Sequence, residues 1–272
     1  MVYKRTMKRV WLVAMIFALG CGDEAEPSSS EATDGTESAQ ETESAEEAPA
    51  AEIPPPTPAQ ALMHGHYRRA SEARDALIRA DIEGARGHMA WLATHEEGDA
   101  LAPNLRPMLT AMQTEAARFA EASTMTEAGD ALARTLVQCG NCHQASGGGF
   151  VVALPPMPAG EGTAAHMQRH MWSAERMWEG LVTADDEQFR AGTDALREAP
   201  LHDEHVPAAN TQPEGRVDAI TELVHQLGVE AQDASTPEAR ASIYGRYLAT
   251  CGTCHRLLGQ GPQAPVQPTL EP

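Results

Sequence analysis

Met63-His64-Gly65-His66-Tyr67-Arg68-Arg69-Ala70 is answered, 104 positions later, by Met167-Gln168-Arg169-His170-Met171-Trp172-Ser173-Ala174. The same offset pairs Leu77 with Leu181, Asp81 with Asp185, Glu83 with Glu187, Arg86 with Arg190 and Leu92 with Leu196. Further on the offset becomes 112, pairing Arg134 with Arg246 and Leu136 with Leu248. The eight extra residues fall near Leu201 to Pro213, which reads as a longer loop. Self-similarity of this kind marks one structural unit present twice.

Each unit reads as four helices. In the second, Met167, His170, Met171, Ala174, Met177, Trp178, Leu181 and Val182 fall on one face at three-four spacing. Met63, His66, Tyr67, Ala70, Ala73, Leu77 and Ile78 make the matching face of the first. Second helices are expected near Ile82–His95 and Glu187–Arg197. Third helices carry Leu105, Met108, Leu109, Met112, Ala116 and Phe119, and then Val217, Ile220, Val224 and Leu227. Thr124 with Glu127 forms a capping-box pattern, and Thr236-Pro237 an N-cap followed by proline at N1. These open fourth helices through Leu132, Leu136 and Cys139, and through Tyr244, Leu248 and Cys251. No strand alternation is visible. The expected fold is all-α: two tandem four-helix bundles with short antiparallel connections. The first unit spans 59–150, a Gly- and Pro-containing linker 151–163, the second unit 164–260, and a tail 261–272.

The fourth helices end in the chemistry. Cys139-Gly140-Asn141-Cys142-His143 and Cys251-Gly252-Thr253-Cys254-His255 are two Cys-x-x-Cys-His motifs at matching places. That spacing reads as c-type haem attachment. Two cysteines three apart share a helix face, where their sulfurs can form thioethers to the two vinyl groups. The adjoining His143 or His255 then faces the iron as proximal ligand. A zinc site would need both Cys pairs, which lie in separate units. A thioredoxin-like pair wants a βαβ setting. Simple disulfides suit an oxidising compartment but leave the repeated histidine unexplained. The cofactor expectation is therefore two covalently bound haems.

A haem motif closing the last helix of a four-helix unit resembles the class II c-type cytochromes, the cytochrome c-prime group, over roughly Gln60 to Leu257. That resemblance implies that the start of each first helix lies across the haem from the fourth. It also implies that a sixth iron ligand, where there is one, comes from there. His66 and His170 are the favoured distal ligands, Met63 and Met167 the alternative, and an iron with no protein ligand the third case. Arg134 and Arg246, five residues before each first cysteine, are candidates for a haem propionate or for a solvated helix face. His64, His88, His95, His202, His205 and His225 lack a counterpart in the other unit and read as surface or loop residues. Met157, between Pro156 and Pro158, has no counterpart either and is set aside as a ligand.

The N-terminus carries address information. Lys4, Arg5, Lys8 and Arg9 precede an apolar run from Val10 to Leu19, the pattern of an export signal over 1–20. The run is half as long as the roughly twenty residues that a spanning helix needs. Ala18-Leu19-Gly20-Cys21 resembles a bacterial lipobox, with Ala18 where leucine is usual, and points to lipidation of Cys21. Residues 21–58 hold no Lys or Arg, are rich in Glu, Ser, Thr, Ala and Pro, and read as a disordered acidic tether. The whole chain carries a formal charge of −19, and loss of the four N-terminal cations takes it to −23 with no lysine left. Nucleic-acid binding, which needs a basic footprint, is excluded; a basic redox partner would be steered by this charge.

These features lead to the expectation of an electron-carrying dihaem protein, not an enzyme, anchored at a membrane in the bacterial periplasm or cell envelope. Gas binding at an open iron is the first alternative and a haem peroxidase the second.

Overall fold

The computed structural model describes residues 55–96, 98–147 and 154–262. The expected signal, Cys21, nearly all of the tether, most of the tail and part of the linker lie outside the described residues. Among the described residues there are eight α-helices and no strand: α1 (Pro58–Ile78), α2 (Ile82–Thr94), α3 (Arg106–Ala117), α4 (Met125–Ser146), α5 (Gly162–Thr183), α6 (Asp186–Ala195), α7 (Arg216–Glu230) and α8 (Pro237–Leu258). The all-helical expectation holds, and no described helix is long and apolar enough to cross a membrane.

Local chemistry sets the helix ends. At α4 the Thr124 side chain accepts from the Glu127 N–H, and the Glu127 carboxylate accepts from the Thr124 N–H. Three hydrogen bonds from Ser123 and Thr124 hold the Glu127 carboxyl below its ordinary range. The same box, Thr57 with Gln60, opens α1, with Pro58 just inside. Thr236 caps α8, with Pro237 next. Such caps contribute roughly 0.5–2 kcal/mol each. At their far ends α4 and α8 stop at left-handed Gly147 and Gly259. After α1 and α5 the left-handed position falls to Ala80 (φ 62°) and Ala184 (φ 55°), which are equivalent residues of the two units. A side chain there costs about 1–2 kcal/mol.

All eight helices belong to one compact unit. Within each repeat, consecutive helices pack against one another, and α4 packs extensively on α8. Gly129 and Gly245 let these two backbones meet, since a Cβ on either would strike the other helix. Leu132, Leu136, Tyr244, Tyr247 and Leu248 are fully buried around the crossing. Burying a large aliphatic side chain contributes roughly 1.5–3 kcal/mol, so this seam is a main source of cohesion.

The repeats also exchange contacts. Arg74 of α1 reaches Glu175 of α5 at 2.8 Å and lies over the Trp178 ring at 5.1 Å. Gly140 of α4 abuts the Leu181 carbonyl of α5, and Gly252 of α8 abuts the Leu77 carbonyl of α1. Leu77 and Leu181 are equivalent, so the contact is reciprocal, as in a two-fold isologous interface. The loop expected between Leu201 and Pro213 forms two short 3-10 turns, Asp203–His205 and Pro207–Thr211. Its Leu201, Val206 and Ala209 join Val217 in a small separate core, against which Met167, Leu257 and Leu258 pack.

Candidate functional site

Two largely apolar cavities lie at the motif-bearing ends of α4 and α8. The first, about 70 Å³, is lined by Cys139, Cys142 and His143 of α4, by Met63, His66 and Tyr67 of α1, by residues of α2 and α3, and by Trp178 and Val182 of α5. The second, about 570 Å³ and partly open to solvent, is lined by Cys251, Cys254 and His255 of α8, by Met167 and His170 of α5, by residues of α7, and by Ile78 of α1. Small-molecule sites commonly occupy about 300–1,000 Å³; the second cavity falls in that range and the first is much narrower.

The motif residues are arranged alike. All four cysteines are free thiols at the half-buried rim of their cavity. Burial pushes the Cys139 and Cys251 thiols up to about 12, and it raises Cys142 and Cys254 too. A disulfide oxidoreductase needs the reverse, a thiol acidified toward the thiolate. His143 Nδ1 donates to the Val182 carbonyl at 2.6 Å, and His255 Nδ1 donates to the Ile78 carbonyl at 2.8 Å. Val182 and Ile78 are equivalent positions, and each belongs to the other repeat. A backbone acceptor on Nδ1 fixes the tautomer that leaves Nε2 basic, the usual orientation of a metal-ligating imidazole. The donor set therefore fits a covalently held haem at each motif: paired thiols on one helix face, an oriented imidazole, and an apolar cavity.

The cavities bring each motif together with both candidates for the opposite ligand. His66 is buried, near Trp91 (5.9 Å between ring centroids) and His95 (6.2 Å). His170 is buried too, with the Tyr247 hydroxyl donating to its carbonyl at 2.7 Å. Burial, reinforced by His166 and His225, holds the His170 imidazole well below its ordinary pKa and hence neutral. Met63 and Met167 are half-buried in the same walls.

No family model, curated protein or solved structure matches this chain. The reading of these cavities therefore rests on their own chemistry.

Several placements differ from the sequence expectation. Arg134 and Arg246 take the solvated-face alternative of the two offered: they line neither cavity and pair with Asp130 at 2.7 Å and Glu230 at 2.6 Å on half-exposed faces. His225 is not a surface residue: it is buried on α7, with Nδ1 donating to the Leu196 carbonyl at 2.5 Å. His88 is half-buried beside Glu72 at 3.0 Å, and His95 stacks on Trp91 at 3.7 Å. His64, His202 and His205 are exposed, as expected, and Met157 is exposed as well. His166 was not singled out by the repeat, since Leu62 stands at its place in the first unit. It is buried one turn before His170, and that i,i+4 spacing was its available signal.

Proposed function

We propose that this chain is a dihaem c-type cytochrome that carries electrons. Each haem would be held by one motif: Cys139, Cys142 and His143 in the first unit, Cys251, Cys254 and His255 in the second. His66 and His170 would serve as the sixth ligands, with Met63 and Met167 as the alternative pair. The observation that carries this reading is that each apolar cavity unites a Cys-x-x-Cys-His motif with the histidine and methionine of a first helix, in both repeats. Within the compact unit we read two four-helix bundles sharing the α4–α8 seam, each with its haem at the end of its last helix.

When bound, haem supplies the one-electron couple. The protein's part is to hold and tune it. Paired imidazole ligation sets a lower potential than His with Met. The apolar walls exclude water, and the carbonyls of Val182 and Ile78 fix the proximal rings and make them better donors. Because each carbonyl comes from the other repeat, the environment of either haem depends on how the units dock. We further read the chain as lipid-anchored through Cys21 at a bacterial cell envelope, exchanging electrons with a partner that presents basic charge to this acidic surface.

One observation favours the alternative, gas binding, at the second site only: that cavity is the wider, and its His170 lies among other imidazoles. The test is an optical spectrum of the exported protein in metal-free buffer, oxidised, reduced, and reduced under carbon monoxide. Two covalently held low-spin haems that ignore carbon monoxide are expected. A high-spin haem that binds it readily would make gas binding the better reading for that site, and absence of covalent haem would end both.

A further inference from the structure

Behind the second cavity α5, α6 and α7 converge on a cluster that the haem reading does not use. His166 and His170 stand one turn apart on α5, ring centroids 4.3 Å from each other, and His225 of α7 lies 5.5 and 5.4 Å from them. One ring nitrogen from each falls within 4.8 Å of the other two. The three residues are 3%, 7% and 6% exposed, and the Nε2 atom of each is buried without a hydrogen-bond partner. A buried polar atom left unsatisfied is costly, and three in one cluster call for a shared partner. Water would satisfy two or three such atoms, but only in a polar pocket of adequate size. A cation bound by lone pairs satisfies all of them.

The surroundings are those of a ligand set. The Leu196 carbonyl accepts from His225 Nδ1, which turns Nε2 inward as an acceptor. Glu198, just beyond α6, brings Oε1 to 3.1 Å from His166 Nδ1 and 3.9 Å from His170 Nε2. Its other oxygen is fixed by Arg169 Nε at 2.6 Å. We propose that His166, His170 and His225 form a site for a divalent transition metal of the zinc class, with the Glu198 carboxylate orienting His166 through Nδ1. Three neutral imidazoles, with water in the fourth position, suit such an ion in tetrahedral geometry. Bonds of about 2.0–2.1 Å place tetrahedral ligand atoms about 3.3 Å apart, so modest ring rotations close the site.

The first unit lacks this site. Leu62 stands at the place of His166, Thr94 at that of Glu198 and Gln113 at that of His225. A cluster serving both haems would recur; this one does not. His166, His225 and Glu198 line neither cavity, so the site stands apart from the haem reading and shares only His170 with it. With haem bound, a metal in this site would compete with the second iron for His170.

The test uses the full exported chain, freed of metal with a chelator and titrated with zinc(II) by calorimetry. One equivalent is expected to bind tightly. Changes outside the ligand shell cost about 10–100-fold in affinity, so His166→Leu and His225→Gln should each cost at least about 100-fold while covalent haem content is kept. No binding by the unmodified chain, or equal binding by both variants, would overturn the proposal. Should either variant fail to fold, X-ray absorption at the zinc edge of the unmodified protein decides. Four ligands with scattering from three imidazoles is the expected result, and a six-oxygen shell sinks the site. Failure of the haem reading is seen separately, as missing covalent haem in the same sample.

Discussion

In the first cavity His66 has aromatic company: Trp91 stands edge-on to it and His95 stacks on Trp91. In the second, His170 has imidazole company, with His166 and His225 beside it and Glu198 behind. Two copies of one helical unit have thus kept their motif and diverged around the opposite ligand. The difference lies in five positions, Leu62, Trp91, Thr94, His95 and Gln113 against His166, Ala195, Glu198, Ala199 and His225. The scaffold tolerates it because Gln113 and His225 perform the same structural task. Gln113 Nε2 donates to the His95 carbonyl just after α2, and His225 Nδ1 donates to the Leu196 carbonyl just after α6. A residue already needed to tie two helices has, in one copy, a second nitrogen to offer.

The largest test of the likeness is to remove each motif in turn. Replacing Cys139 and Cys142 by Ser, or Cys251 and Cys254 by Ser, should each halve the covalent haem, measured as the pyridine haemochrome. Loss of both haems from either double variant would show that the sites do not load independently. The difference between the copies should then appear under carbon monoxide. His66→Ala should make the first haem reactive with or without zinc. Zinc alone should alter only the second haem of the unmodified protein, by taking His170. A zinc-induced change at the first haem would remove the distinction drawn between the cavities.

Smaller effects probe the docking that the two units share. Gly140→Ala and Gly252→Ala place a methyl against a carbonyl of the partner repeat. Each should lower stability by about 1–3 kcal/mol in denaturant melts, and by similar amounts if the reciprocity is real. The smallest effect concerns the strained alanines after α1 and α5. Ala80→Gly and Ala184→Gly should each stabilise by about 0.5–1 kcal/mol, the relief of a left-handed side chain less the backbone entropy of glycine. A loss of stability instead would mean that the methyl packs usefully at the Gly252 or Gly140 contact.

Much of this was legible in the chain. Three-four spacing is a property of the helix itself, so α1 and α5 could be read from their apolar residues. Caps act over three or four residues, so Thr124 with Glu127 and Thr236 with Pro237 announced α4 and α8 before any packing was known. The two Cys-x-x-Cys-His motifs need only one helical turn each, and the 104- and 112-residue offsets paired them with Met63, His66, Met167 and His170. What the tertiary structure alone decided is which surfaces meet. An apolar stripe says that a helix is covered and leaves its partner unnamed, because burial is non-directional. The carbonyls of Val182 and Ile78 reach the proximal histidines of the opposite repeat only because α4 docks on α5 and α8 on α1. His225, read as a surface residue for want of a counterpart, joins His166 and His170 only once α7 is laid beside α5. Ligand clusters drawn from several helices are contacts across distance in sequence, and those are set when the helices pack.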